Sequence, residues 1–208
     1  MSTQNNNKLT VICANILDFV DDPAIAGESA HRYFEKGALV IQNGKVVNLG
    51  YEQDILPSLD KSATLIRHDG KLVMPGMIDT HIHLPQTEMV GAYGEQLLSW
   101  LTEYAFPTEK KFASEVYSSE VSNRFLDELL RNGTTTALVF GTVHPQSVDA
   151  FFNESQKRNL RMIAGKVMMD RNCPDDLSDC AQTSYDQSKA LIKKWHNVDR
   201  LSYAVTPR

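Results

Sequence analysis

The chain has 208 residues, of which 42% are hydrophobic and 23% are charged, a composition typical of a globular protein with a sizeable core. A formal net charge of -5 gives no general attraction to nucleic acid or to anionic membranes. Three widely spaced cysteines indicate no disulfide framework. The N-terminus Met1–Asn7 is polar and lacks the apolar run of a signal peptide, and no run approaches the ~20 apolar residues of a membrane span. We therefore expect a soluble, cytoplasmic protein.

The first part of the chain has the pattern of a small β domain. Leu9–Leu17 is a short apolar stretch, and Ala63–Ile66 has the composition of a further strand. Between them, Asn43-Gly44 separates two β-branched runs, which is typical of a type I′ hairpin whose two turn residues take positive φ. These signals predict a small β domain over residues 1–70.

An apolar run from Leu72 to Thr80, interrupted only by Pro75-Gly76, is typical of a strand buried on both faces. Helical and strand patterns alternate after it, with helices predicted at Leu97–Leu101, Glu109–Asn132, Gln146–Arg158 and Ser178–Trp195, and strands at Thr134–Phe140, Leu160–Met168 and Leu201–Val205. The first helix should end near Phe106-Pro107, because the residue before a proline disfavours helical dihedrals.

The order βαβαβαβ predicts an α/β fold with a parallel sheet and right-handed crossovers. A closed (β/α)8 TIM-type barrel needs eight strands, whereas this chain supplies four before Thr206-Pro207-Arg208. We therefore expect residues 71–208 to be the first four β/α strands of such a barrel, truncated after strand 4 and preceded by the small β-rich domain.

The strongest chemical signal is a pair of histidines, His81 and His83, at the polar end of the first barrel strand. Residues i and i+2 of a strand point to the same face, so the two imidazoles can converge on one divalent ion. Imidazole suits zinc, iron or nickel. Asp79 lies two residues before His81, so its side chain points to the same face of the strand, and its carboxylate is a candidate to orient one of the imidazoles.

The string Pro75–His83, placed directly after a small β domain, resembles the first barrel strand of the amidohydrolase superfamily. Further segments are similar to the guanine deaminases of that superfamily, and these segments are His83–Gln86, Leu97–Glu109, Asn132–Ala137, Gly165–Asp170 and Val205–Arg208. The resemblance thus covers the chain from about residue 70 to its last residue, while the N-terminal β domain agrees in layout only.

The resemblance implies a role for four residues of this chain. His81 and His83 would be ligands of one Zn2+ ion, and Gln86 and Arg208 would hydrogen-bond the purine. The implied reaction is hydrolysis of guanine to xanthine and ammonia by a homodimeric enzyme. The family's remaining metal ligands, and the glutamate that transfers protons, belong to strands beyond Arg208, so no catalytic residue is assigned and the chain alone is expected to be inactive.

Two other functions remain open from the sequence: another amidohydrolase acting on a related aminated heterocycle, and a non-catalytic truncated remnant. The cytidine-deaminase fold is excluded, because neither His-x-Glu nor Pro-Cys-x-x-Cys occurs. Lys166 lies on the third barrel strand, whereas the lysine that bridges two metals in some amidohydrolases lies on the fourth, which favours one ion. His144 is expected to cap a loop or helix, and Glu88 has no role that its position defines.

Overall fold

The computed structural model describes residues 8–94 and 96–208, which form two compact units that divide between Pro75 and Gly76. The first unit contains a four-stranded sheet in the order β3-β2-β1-β4. Its strands are β1 Thr10–Phe19, β2 His31–Gln42, β3 Lys45–Tyr51 and β4 Thr64–Val73, and its short helices are α1 Pro23–Ala26 and α2 Glu52–Ile55. Strand β1 runs antiparallel to β2 and parallel to β4, and the polar residues 1–7, to which the signal-peptide prediction applies, lie outside the described residues.

The hairpin predicted from Asn43-Gly44 is confirmed. Strands β2 and β3 pair in an antiparallel ladder up to Gln42 and Lys45, which leaves the two turn residues between them. Asn43 has φ 52° and Gly44 has φ 73°, the positive values that a type I′ turn requires.

The apolar run from Leu72 to Thr80 is not one strand, so the predicted boundary after residue 70 is moved. Strand β4 continues to Val73 in the first sheet, and β5 begins at Met77 in the second unit. Strand β5 is also not buried on both faces, since Met77 and Ile78 are exposed. Within the described residues β5 has one hydrogen-bonded neighbour, β6, so one edge of the strand is uncovered.

The second unit is a parallel four-stranded sheet in the order β5-β6-β7-β9, half of the strands of a (β/α)8 barrel. A two-stranded parallel pair, β8 with β10, extends it. Its strands are β5 Met77–His83, β6 Thr134–Phe140, β7 Arg161–Gly165, β8 Val167–Met168, β9 Ser202–Tyr203 and β10 Thr206–Pro207, and its helices are α3 Leu97–Trp100, α4 Phe106–Lys110, α5 Glu115–Arg131, α6 Pro145–Lys157 and α7 Ala181–Trp195. The predicted α/β class and partial barrel are therefore confirmed.

The helical region before β6 differs from the prediction. A π-helical turn at Leu101–Ala105 connects α3 to α4, so the helical path continues through Pro107 and does not end there. A π turn changes the local hydrogen-bond pattern and can accommodate a proline. The long helix starts at Glu115 and not at Glu109, because the Ser114 hydroxyl accepts a hydrogen bond from the Tyr117 backbone N–H at 3.3 Å and caps it.

The core of the second unit lies between the sheet and α5, α6 and α7. Ala137 and Val139 of β6 and Met162 and Ala164 of β7 are fully buried against these helices, together with Phe152. This packing fixes the strands whose carboxyl ends carry the candidate site. Within residues 8–94 and 96–208, no helix combines the length and the hydrophobicity needed to cross a bilayer.

Candidate active site

The histidine pair lies at the carboxyl end of β5, in register with the ends of the neighbouring strands. His83 pairs with Phe140 of β6, and Phe140 pairs with Gly165 of β7. The His83 ring stacks on Phe140 with centroids 4.6 Å apart and planes inclined by 10°. The His81 ring contacts the same phenyl ring at 5.1 Å, so one aromatic side chain supports both imidazoles.

The two imidazoles have a separation that fits a single metal ion. His81 Nε2 and His83 Nε2 lie 3.2 Å apart. Two nitrogens each ~2.0–2.1 Å from one tetrahedral zinc are about 3.3 Å apart, so the pair can supply two of four ligands. Among the described residues, no group of three or more His, Cys, Asp or Glu side chains is arranged to hold a metal. Within the described residues, His81 and His83 are therefore two candidate ligands.

The electrostatics of this site keep His83 neutral. Burial lowers the pKa of His83, and the nearby His81 and the positive charge of Arg208 lower it further. A neutral imidazole has the free lone pair that a metal ligand needs. Asp79 does not orient an imidazole as predicted; its Oδ1 accepts a hydrogen bond from the His81 backbone N–H at 2.9 Å and fixes the strand end instead.

Gln86 lies in a short 3-10 helix, Leu84–Met89, that directly follows β5. The side chain is half-buried and lines a groove of ≈ 590 Å³ between β5 and α5, together with His83. Gln86 is thus next to the histidine pair, on the side of β5 that faces α5.

Glu88, for which the sequence analysis predicted no role, anchors the segment that carries Gln86. Its carboxylate accepts hydrogen bonds from the Tyr117 hydroxyl at 2.6 Å and from Arg124 Nη2 at 2.7 Å, and Lys111 Nζ lies at 3.5 Å. The Tyr117 and Arg124 hydrogen bonds hold the pKa of Glu88 below its ordinary value. The carboxylate therefore stays ionised and fastens the segment to α5, a structural role and not a catalytic one.

Arg208 follows β10, and its backbone N–H donates to the Met168 carbonyl at 3.0 Å. Its Nη1 donates to both carboxylate oxygens of Glu109, at 2.9 and 2.8 Å. The guanidinium carbon also lies 5.7 Å from the centre of the Phe106 ring. Arg208 lines a second groove, of ≈ 630 Å³, with residues of α7 including Tyr185. His83 and Gln86 therefore line one groove and Arg208 lines another, although the charge of Arg208 acts on His83.

A close approach of two backbones positions the segment before Arg208. A Cβ added at Gly165 would lie 1.8 Å from the Ala204 carbonyl oxygen and 2.6 Å from Thr206 Oγ1. The Ala204 N–H also donates to the Ala164 carbonyl at 2.9 Å, so the two segments are joined. Only glycine fits at position 165.

Gly165→Ala is therefore expected to destabilise the protein by about 1–3 kcal/mol, because backbone atoms must move to admit the methyl group. The shift should also displace the segment that carries Arg208. Chemical unfolding measures the loss of stability. Gly50→Ala is the control, because its added Cβ meets only the flexible end of Ile55, at 3.3 Å. Wild-type stability in Gly165→Ala would contradict the interpretation.

Lys166 and His144 do not contribute to the histidine pair. Lys166 is 1% exposed, its Nζ forms an ion pair with Asp179, and it donates to the Val167 carbonyl at 3.1 Å. The ammonium group is thus already bound within the fold. His144 occupies the N-cap position of α6, but its side chain makes no capping hydrogen bond, so that prediction is wrong; burial, and then the charge of Lys166, lower its pKa.

Three residues that hold the side chains of this region in place were not predicted from the sequence. Glu109 and Asp179 are carboxylates whose cationic partners are distant in sequence, and Phe140 is one of several aromatic residues in apolar segments. The contact of Phe140 with the histidines could have been predicted from its position, because Phe140 is the last residue of β6 just as His83 is the last residue of β5. No local pattern distinguishes the two carboxylates from surface residues.

Known proteins resemble this chain in sequence and in fold. The sequence model described as the amidohydrolase family matches residues 72–207. The chain is 56% identical over 180 residues to the guanine deaminase of Escherichia coli strain K12, a match that covers 86% of this chain and 41% of that protein. The chain thus spans about two fifths of the length of this relative.

Two solved structures share the fold. The guanine deaminase from Bradyrhizobium japonicum aligns with a TM-score of 0.90 at 38% identity and covers 97% of this chain and 44% of that one. The guanine deaminase from C. acetobutylicum with bound guanine in the active site aligns with a TM-score of 0.83 at 28% identity, over 97% of this chain and 46% of that one. With the histidine pair at the end of its first barrel strand, the chain belongs to the amidohydrolase family.

Proposed function

We propose that this chain is the N-terminal part of a zinc-dependent guanine deaminase, which hydrolyses guanine to xanthine and ammonia. The observation that carries the proposal is the pair of imidazole nitrogens 3.2 Å apart at the end of β5. The similarity to guanine deaminases supports the substrate, since one such relative has guanine bound in its active site. A cytoplasmic homodimer, as the family resemblance implies, is part of the same proposal.

His81 and His83 would hold one zinc ion. Zinc held by these residues would supply hydroxide at neutral pH, since the pKa of a bound water would fall toward ~7. The chain's own contribution is to keep His83 neutral and both rings fixed against Phe140. A single ion is favoured over two, because the ammonium group of Lys166 is paired with Asp179 and is not available to bridge a second metal.

Gln86 and Arg208 would recognise the purine. The amide of Gln86 offers both a donor and an acceptor, which suits a guanine edge that presents both. Arg208 supplies donors only, which suits a carbonyl oxygen or a ring nitrogen.

The test compares two proteins: the 208-residue chain, and the protein in which this chain is followed by the remaining barrel strands, called here the complete-barrel protein. Both are supplied with zinc and guanine, and xanthine is followed by chromatography. We expect turnover by the complete-barrel protein and none by the 208-residue chain, which offers two metal ligands where zinc needs four or three plus water.

A substrate panel separates the proposal from its nearest alternative. Guanine, an adenosine derivative and an aminated triazine are compared by kcat/KM in the complete-barrel protein. Preference for guanine supports the proposal. A higher kcat/KM for another heterocycle would refute it. Xanthine formation by the 208-residue chain without the remaining strands would refute the separate expectation that this chain is inactive alone.

A further inference from the structure

Glu109 is a buried carboxylate that the proposed chemistry does not use. Its residue is 2% exposed, and its two oxygens both accept from Nη1 of Arg208, 99 residues further along the chain. Burial raises the pKa of Glu109, and the positive charge of Arg208 opposes this rise. A buried carboxylate without such a partner is strongly unfavourable, so the two side chains are coupled.

One helical turn contacts the guanidinium in two ways. Phe106 and Glu109 lie three residues apart in α4 and therefore on the same face of that helix. Glu109 binds the end of the guanidinium at Nη1, while the Phe106 ring lies 5.7 Å from Cζ. Phe106 is itself buried against Val143 and Val167. The guanidinium of Arg208 is thus restrained at Nη1 by the Glu109 carboxylate and at Cζ by the buried Phe106 ring.

The contacts of Arg208 leave one edge of its guanidinium available. Glu109 occupies Nη1, and in the described part of the chain neither Nε nor Nη2 of Arg208 has a hydrogen-bond partner. These two nitrogens carry the parallel N–H groups of the guanidinium fork. The Arg208 side chain as a whole is 26% exposed.

We infer that Glu109 is a positioning residue, which holds Nη1 of Arg208 so that the Nε and Nη2 edge is presented to an acceptor atom of the substrate. The inference rests on the proposed function, in which Arg208 binds the purine. Arginine has a flexible side chain, and fixing it before the substrate arrives removes part of the entropy lost on binding. Glu109 would therefore act on substrate affinity through Arg208, without touching the substrate.

The test uses Glu109→Gln in the complete-barrel protein, with Glu154→Gln as the matched control. Glu154 is 6% exposed and pairs with Arg158 and Lys157 on α6, so it is also a buried carboxylate with a cationic partner. We expect the KM for guanine to rise about tenfold in Glu109→Gln, with kcat changed far less. Glu154→Gln should lower the melting temperature and leave KM unchanged.

The coupling to Arg208 is measured by a double-mutant cycle. Arg208→Lys alone should raise KM, and Glu109→Gln added to it should produce no further increase, since the group that Glu109 positions is already changed. Any of three results would overturn the inference. These are KM increases of Arg208→Lys and Glu109→Gln that multiply in the double variant, an unchanged KM in Glu109→Gln, and an equal rise of KM in Glu154→Gln.

A structural measurement separates this inference from the proposed function. Wild-type turnover of guanine tests the function alone. Crystal structures of the wild-type and Glu109→Gln complete-barrel proteins test the positioning even if guanine is not the substrate. The inference predicts a displaced or disordered guanidinium of Arg208 in the variant, and a guanidinium that stays in place would overturn it.

Discussion

Replacing His83 with alanine in the complete-barrel protein is expected to abolish zinc retention and the turnover of guanine. His83 Nε2 is one of two nitrogens that converge on the candidate metal position, 3.2 Å from His81 Nε2. Changes to residues that only orient ligands cost ~10–100-fold in metal affinity or activity, and removal of a ligand itself should cost more. Zinc per polypeptide after dialysis, measured by elemental analysis, gives the result directly.

His68→Ala is the control for this experiment. His68 is an exposed histidine of β4 in the first unit, and no metal role is assigned to it. The variant should keep both zinc and activity, which shows that loss of a histidine alone does not remove the metal. A His83→Ala protein with wild-type zinc content would refute the assignment of this ligand.

Asp179→Ala is expected to lower the free energy of unfolding by about 3–5 kcal/mol, the usual effect of leaving a buried charge without its partner. Lys166 is 1% exposed and forms an ion pair with Asp179. The Asp179 carboxylate also accepts from the Ser184 hydroxyl at 2.6 Å and from the Cys180 backbone N–H at 2.8 Å. Urea unfolding of the complete-barrel protein measures the loss.

Asp176→Ala is the matched control, because Asp176 also forms an ion pair with a lysine, Lys110, but both side chains are exposed. Exposed pairs contribute little, so this variant should unfold near the wild-type urea concentration. Adding Lys166→Met to Asp179→Ala removes the unpaired ammonium group and should recover much of the stability. Equal unfolding midpoints for Asp179→Ala and Asp176→Ala would contradict the role of the buried pair.

The pH dependence of this pair has a defined sign. Burial raises the pKa of Asp179, but the hydrogen bonds from Lys166 and Ser184 outweigh it and leave the pKa below the ordinary 3.8. A carboxyl group with a lowered pKa in the folded state stabilises the protein above its unfolded pKa, and that stability is lost as the pH falls through the folded value. Stability differences between the wild type and Asp179→Ala should therefore be full at neutral pH and shrink in acid.

Much of the fold follows from local patterns in the sequence. The turn at Asn43-Gly44 was predictable because few residues tolerate positive φ at two adjacent positions. Strand β6 matches its predicted bounds, since a β-rich run follows directly on a helix-terminating glycine, Gly133 with φ 83°. Both features depend on residues that are close together in the chain, so the sequence around them is enough to predict them.

Errors arise where contacts distant in sequence decide the structure. The apolar run through Pro75-Gly76 reads as one strand, yet its first part pairs in one sheet and its second part in another. One error has a local cause, since the helical path continues through Pro107 because a π turn directly precedes α4. In the site, strand parity alone predicted that His81 and His83 converge, whereas the contact of Glu109 with Arg208 joins residues 99 positions apart.

The pairing of β10 with β8 constrains the length of the segment that ends at Arg208. Thr206 pairs with Val167, and the Arg208 N–H donates to Met168, so the position of Arg208 along the strand is fixed by the backbone. Successive residues of an extended strand point to opposite sides. One residue inserted between Thr206 and Arg208 would turn the guanidinium away from its present side, whereas exposed turns tolerate insertions. This segment should therefore vary by substitution and keep its number of residues.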